Sequence, residues 1–266
     1  MSDVHHAVEL ALDKVAPDVA KCYRDYRNYK QDFVHMLDDV YVKSQSIRYL
    51  GDRDNANTDS ALVPTQRSLI YNELSSALYK KFFLNRAERE AMKDGYIYIH
   101  DRSARLDTIN CCLFDMASVL SGGFEMGNVW YNEPKSLDVA FDVISDVAIS
   151  AAACQYGGFT IPECDKLLAP YAEKSYQRYC EEYMEIYHNL LPQKDVSTSS
   201  VEAERYAMKK VRRDMEQGFQ SWEYRFNTVG SSRGDYPFIA ISLGLADDKF
   251  GQMVTEVCLA VRAKGQ

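Results

Sequence analysis

The run YPFIAISL, residues 236–243, constrains the fold of this chain more than any other stretch. It is nearly all apolar and does not alternate. Such a run fits a strand covered on both faces, as in a parallel or barrel sheet that lies under helices. The rest of the chain supplies those helices. Residues 3–15 and 17–42 read as two helices divided near Pro17, the second tyrosine-rich and packing through Val19, Tyr23, Tyr26, Phe33, Met36 and Val40. A polar connector rich in Gly, Asn and Asp follows, as far as Pro64. The spacing predicts a helix over 65–90 that buries Leu69, Ile70, Leu74, Leu78 and Phe82. Gly95 then breaks the pattern and YIYI, 96–99, reads as a short buried strand.

From Pro134 to about Cys154, Leu137, Ala140, Ile144, Val147 and Ala151 recur at three and four residues, and Gly157 and Gly158 end that helix. Residues 165–192 form a long helix. The capping box SSVE, 199–202, opens another, and Asp247 caps a closing helix over 247–263. Strands that are short, buried and separated by long helices give an α/β class with a helical excess.

A chain of 266 residues can bury one large core or two smaller ones. No apolar run approaches the roughly 20 residues that span a bilayer, and the first residues lack a signal-peptide layout, so a cytoplasmic protein is expected. The seven cysteines include no C-x-x-C pair and read as thiols of a reducing compartment. A formal charge of −8 argues against a broad nucleic-acid surface but leaves nucleotides open, because a small anion needs only a few local donors. The basic cluster KKVRR, 209–213, sits among acids and fits a solvated helix face.

Chemistry gathers in GYIYIHDRSARLDTINCC, residues 95–112. Vicinal cysteines seldom share one pocket, since neighbouring side chains diverge. Four readings stand for Cys111 and Cys112. As metal ligands they lack converging partners, since His100 is the lone candidate nearby. As nucleophiles they need a base. As packing residues they behave as small hydrophobes. In radical or redox chemistry a thiol gives up hydrogen to a substrate. His100 and Asp101 can equally cap a turn and bond main-chain groups. QYGG, 155–158, lets a backbone pass close by, and NTVGSSRG, 227–234, offers hydroxyls and amides to an anion.

Taken in order, NANTDSALVPTQRSLI (55–70), GYIYIHD (95–101), NCCLFDM (110–116), GGFEMGN (122–128), PKS (134–136), QYGG (155–158), LAPY (168–171), WEYRFNT (222–228), PFIAISLGL (237–245) and VRAKG (261–265) resemble the catalytic subunit of the anaerobic (class III) ribonucleotide reductases, which are glycyl radical enzymes. The resemblance runs from about residue 50 to the last residues. It implies that 51–266 form the N-terminal half of a ten-stranded α/β barrel, with residues 1–50 a helical connector like the end of an ATP-cone and its linker. The implied reaction removes the 2′-hydroxyl of a ribonucleoside triphosphate. A thiyl cysteine starts it and a second cysteine, matched by Cys111, gives hydrogen. Cys112 would face the other way and pack.

The resemblance further places the substrate at Tyr98, His100, Asp101, Asn110, Ser231 and Ser232. A deoxynucleotide or ATP effector falls at Trp130, Tyr131, Lys135, Asp146 and Arg178, beside a homodimer contact through 130–155. An iron-sulfur S-adenosylmethionine activase is the implied partner of the complete enzyme. The thiyl cysteine, the glycyl radical and a structural zinc find no match within these residues, so no metal ligand is assigned here, and 1–266 alone are expected to be inactive. A nucleotide- or partner-binding regulator and one half of a split enzyme are the alternatives.

Overall fold

Two compact units make up the chain in the computed structural model, which describes residues 2–47, 62–105, 109–190, 196–228 and 238–265. The first unit contains α1 (Ser2–Val15), α2 (Pro17–Ile47), α3 (Val63–Phe82), α4 (Arg86–Lys93) and a single 3-10 turn (Arg102–Ala104). Pro17 opens α2, where its missing N–H is no loss. Ion pairs Arg27–Glu9 and Arg24–Asp13 (2.7 Å) tie α2 to α1. Of the residues expected to pack along α2, Phe33, Met36 and Val40 are half-buried, whereas Val19 and Tyr26 are exposed.

The single helix expected over 65–90 is two. Asn85 stops the first and starts the second: its side chain accepts the Glu88 N–H (2.9 Å), and Glu88 accepts the Asn85 N–H (2.7 Å). Arg89 caps the end of α3, donating to the Leu84 carbonyl at 2.9 Å and the Lys81 carbonyl at 3.3 Å. Phe82, expected inside, is exposed.

The strand expected at 96–99 does not form. With Gly95 at φ +81°, the amides of Tyr96 and Ile97 fold back to the Ala91 carbonyl (2.9 and 3.4 Å) and close α4 instead of joining a ladder. Tyr96 and Tyr98 are 84% and 83% exposed.

The second unit runs β1 (Cys112–Leu113), α5 (Met116–Leu120), β2 (Phe124–Met126), β3 (Val129–Tyr131), α6 (Leu137–Ala153), β4 (Phe159–Ile161), α7 (Cys164–Leu190), α8 (Val196–Phe226), β5 (Ile239–Ile241) and α9 (Lys249–Ala263). Strands β1, β4 and β5 form a parallel sheet in the order β1-β4-β5, with Cys112, Phe159 and Ile239 in one row and Leu113, Thr160 and Ala240 in the next. The first row faces the core, and Phe159 and Ile161 are wholly buried there. The opposite face lies open, with Leu113 of the second row 78% and Phe238, just before β5, 55% exposed. Over the described residues 238–241 the run is therefore covered on one face, not both: Ile239 and Ile241 pack on the core while Phe238 and Ala240 are exposed. Strands β2 and β3 make a hairpin that the sequence reading passed over. Its signal is Gly127-Asn128, a two-residue turn that needs the positive φ (+65°) only glycine takes up freely.

Helix α6 packs on α8 through aromatic contacts. Phe141 meets Phe219 and Trp222 edge-on, with ring centres 5.0 and 4.8 Å apart, and Trp222 Nε1 donates to the Phe141 carbonyl (2.9 Å). Gly218 leaves room for the Phe141 ring, which a Cβ there would strike. Helix α8 begins three residues before Ser199, so SSVE lies inside it. Asp248, not Asp247, caps α9, accepting the Phe250 and Gly251 N–H at 2.9 Å each. No described helix is long and apolar enough to cross a membrane.

Asp165, fully buried in the first turn of α7, accepts the N–H groups of Gly244, Leu245 and Ala246 at 2.9, 2.8 and 2.9 Å. Burial alone pushes its carboxyl up, but the amides of Ala246, Leu245, Lys166 and Gly244 outweigh it and hold the group below the usual carboxylate range. A depressed folded pKa adds stability above the unfolded value of about 3.9 and loses it as pH falls through the folded value. Asp165→Asn is expected to cost about 2 kcal/mol near neutrality and to flatten the acid limb. Urea midpoints from about pH 3 to about pH 7 test this, and parallel limbs for both proteins would refute it.

Candidate functional site

The site is built on β1 and the segment after α6. Main-chain bonds stitch the two together: Tyr156 N–H to the Ile109 carbonyl (2.9 Å), Gly157 N–H to Asn110 (2.5 Å), Cys112 N–H to Gly158 (3.0 Å) and Phe114 N–H to Thr160 (2.9 Å). Gly157 makes the approach possible. A Cβ there would lie 2.5 Å from Asn110 Oδ1, 2.6 Å from Cys111 Sγ and 2.7 Å from the Asn110 carbonyl oxygen. The two glycines expected to stop α6 thus do different work, since the helix already ends at Ala153 with Cys154 as its cap.

Successive residues of extended chain point to opposite faces, and the two cysteines follow that rule. Cys112 is half-buried, packs on the core and donates from Sγ to Gln155 Oε1 (3.1 Å). Burial first, and the neighbouring Cys111 second, push its thiol up. Cys111 is exposed on the open face. Its sulfur accepts the Gly158 N–H (3.2 Å) and its S–H is directed to Asn110 Oδ1 (3.8 Å). These polar neighbours are an amide donor and an amide oxygen, and neither is a general base. The arrangement suits a thiol that gives hydrogen to something seated on the open face better than one activated for attack.

The other expected substrate residues divide. Tyr98, His100 and Asp101 form a cluster within the first unit: His100 Nδ1 lies 2.6 Å from Asp101 Oδ2, and the Tyr98 ring meets His100 edge-on at 6.3 Å. Asp101 holds a left-handed φ of +50° ahead of the 3-10 turn. Asn110 sits beside Cys111 in the second unit. Ser231 and Ser232 lie outside the described residues. The residue the sequence reading missed is Gln155, buried and bonded to Cys112; only its place in QYGG marked it.

The expected effector residues lie on three elements. Trp130 is 59% exposed on the hairpin, and Tyr131 stacks on Phe124 (5.1 Å). Lys135 is exposed before α6, and Glu133 next to it accepts from the Gly122 N–H (3.1 Å) and Lys174 (3.0 Å). Arg178 of α7 lies over the Tyr179 ring (4.9 Å) and donates to its hydroxyl (3.1 Å); burial pushes the nearby Asp138 carboxyl up, but hydrogen bonds from Ser136 and the Val139 N–H, with Arg178 adding to them, hold it below the usual range. Asp146 stands two turns further along α6, about 12 Å from Asp138, and pairs instead with Arg225 (3.6 Å).

The stripe Leu137, Ala140, Ile144 and Val147, expected to meet a second subunit, is buried in this chain's own core. The outward face of α6 carries Asp138, Val139, Asp142 and Asp146.

A sequence-family profile described as anaerobic ribonucleoside-triphosphate reductase matches residues 54–266. The chain belongs to that family. The anaerobic ribonucleoside-triphosphate reductase of Enterobacteria phage T4 is 33% identical over 217 residues, covering 80% of this chain and 33% of the relative. That of Haemophilus influenzae is 28% identical over 275 residues, covering 99% of this chain and 37% of the relative. The chain thus spans about a third of the length of these reductases. A crystal structure of the anaerobic ribonucleotide reductase from Thermotoga maritima, in complex with dATP and CTP, matches 87% of this chain and 40% of that one at a TM-score of 0.50 and 15% identity, a likeness of fold. Among the described residues no three His, Cys, Asp or Glu side chains come together as a metal site requires.

Proposed function

We propose that this chain forms part of the catalytic subunit of an anaerobic ribonucleoside-triphosphate reductase, contributing staves of the ten-stranded barrel and the thiol that reduces C2′. The observation that carries the reading is Cys111 of NCC, held on the open face of a parallel sheet under a main-chain donor while Cys112 is turned into the core. A thiyl radical on a cysteine elsewhere in the complete subunit would take the ribose 3′-hydrogen and return it at the end of turnover, so the radical is not consumed. Cys111 gives its S–H hydrogen as the 2′-hydroxyl leaves as water, Asn110 orients that S–H, and an external two-electron reductant restores the thiol. Cys112, bonded to Gln155 and kept protonated by burial, stays out of the reaction. Tyr98, His100, Asp101, Ser231 and Ser232 contribute to substrate binding.

An anaerobic assay with labelled triphosphate tests the reading. Residues 1–266 alone, with activase and reductant, are expected to form no deoxynucleotide, and adding the remaining part of a family subunit is expected to restore it. Product from these residues alone, or none after complementation, refutes the proposal.

The regulatory part of the reading places dATP or ATP between Trp130, Tyr131, Lys135 and Arg178 at the edge of a symmetric dimer. Because Leu137 and Ile144 are core residues, the variants that test the dimer are Trp130→Ala and Val139→Asp. Light scattering is expected to halve the wild-type mass in these variants, and calorimetry to lose the nucleotide heat. A wild-type monomer that binds neither nucleotide overturns it.

A further inference from the structure

Gln155 lies in no helix or strand, yet it is 4% exposed, and its amide touches both halves of the thiol site. Its Oε1 accepts from Cys112 Sγ at 3.1 Å, and its Nε2 donates to the Gly157 carbonyl at 3.2 Å. The first contact fixes which face of β1 Cys112 occupies, and therefore which face Cys111 occupies, since adjacent residues cannot share one. The second fixes the peptide between Gly157 and Gly158, whose N–H reaches Cys111 Sγ at 3.2 Å. One side chain thus holds the non-reacting sulfur on its oxygen and, through one peptide plane, the donor to the exposed sulfur on its nitrogen. A planar amide can do both at once. Leucine fills similar space without either bond, and ionised glutamate can accept but not donate.

We propose that Gln155 is the positioning residue for the Cys111 thiol, setting the register of β1 and aiming the Gly158 N–H at its sulfur. The role rests on the reading of Cys111 as hydrogen donor, but the geometry is testable without turnover. Steric protection of a neighbouring group by Gly157 is not enough by itself, because a glycine permits close approach and does not choose which sulfur faces outward.

The experiment is thiol-by-thiol labelling of the 266-residue protein with dithiodipyridine, which reacts in acid as well as neutral solution, read by mass spectrometry. In the native protein Cys111 is expected to react well ahead of Cys112. Gln155→Leu is expected to speed Cys112 labelling about tenfold, the factor of one buried hydrogen bond, while buried Cys164 and Cys258 keep their protection. Gln155→Glu is expected to behave like wild type near pH 5, where a buried carboxylic acid still donates and accepts. Near pH 8 the carboxylate still accepts from Cys112 but cannot donate to the Gly157 carbonyl, so Cys112 should stay as slow as in wild type while Cys111 labelling departs from it, each rate taken relative to wild type at the same pH. An unchanged Cys111 to Cys112 ratio in Gln155→Leu overturns the proposal. So does equal deprotection of Cys164 and Cys258, which marks Gln155 as an ordinary core residue. An assay in which Cys111→Ala retains full turnover would remove the reductase reading and leave this labelling pattern standing.

Discussion

In the completed subunit, Cys111→Ala is expected to abolish deoxynucleotide formation, a loss of at least about a thousandfold, the scale for a group that reacts in the transition state. Cys112→Ala should keep most activity. The asymmetry follows from the faces of β1. Cys111 Sγ is exposed, with the Gly158 N–H at 3.2 Å, and nothing else on its strand can stand in for it. Cys112 fills a half-buried position beside Gln155, so its removal costs packing and one weak hydrogen bond, about 1–2 kcal/mol of stability. Single-turnover assays on both variants, with urea titrations on the same samples, separate the two effects. Equal loss of activity from both would mean that the exposed sulfur has no special role.

The opposed faces of the two sulfurs were legible in NCC, 110–112, and the close backbone approach in QYGG, 155–158, and the reasons are local. NCC in extended chain must put its two sulfurs on opposite faces, whatever surrounds it. The stripe from Leu137 to Val147 is a helix at any depth in a protein, so its existence could be read but its burial partner could not. The same spacing serves a core or a dimer, and α8 supplies the core through Phe219 and Trp222. YIYI failed for a different reason. A β-prone tetrapeptide becomes a strand only when another strand offers bonds, and here the Ala91 carbonyl takes the Tyr96 and Ile97 amides first. The break at Asn85 was written in NRAE, a box with Asn in the place usually given to Ser or Thr. The three-residue strands that form the sheet depend on partners far away in sequence, which periodicity cannot see.

Gly157→Ala is expected to be the most damaging single methyl that can be added to the site, and Gly158→Ala one of the mildest. Neither glycine has a positive φ, so the difference is one of space alone. At 157 the new carbon would meet the Asn110 carbonyl oxygen at 2.7 Å and Cys111 Sγ at 2.6 Å, and the carbonyl is main chain that cannot swing aside. Relief requires β1 to move off the 155–160 segment, breaking the Gly157 to Asn110 bond and drawing the Gly158 N–H away from the sulfur. Overpacking of this kind costs about 3 kcal/mol, and a reacting group displaced by about 1 Å costs about a hundredfold in rate. At 158 the nearest atom is the Phe238 carbonyl oxygen at 3.9 Å, an ordinary contact, and the loss of glycine's freedom in the unfolded chain even favours the alanine slightly. Urea midpoints of the two variants, with turnover in the completed subunit, give the comparison. If Gly158→Ala is as destabilising as Gly157→Ala, the close approach of β1 to Gly157 is not what shapes the thiol site.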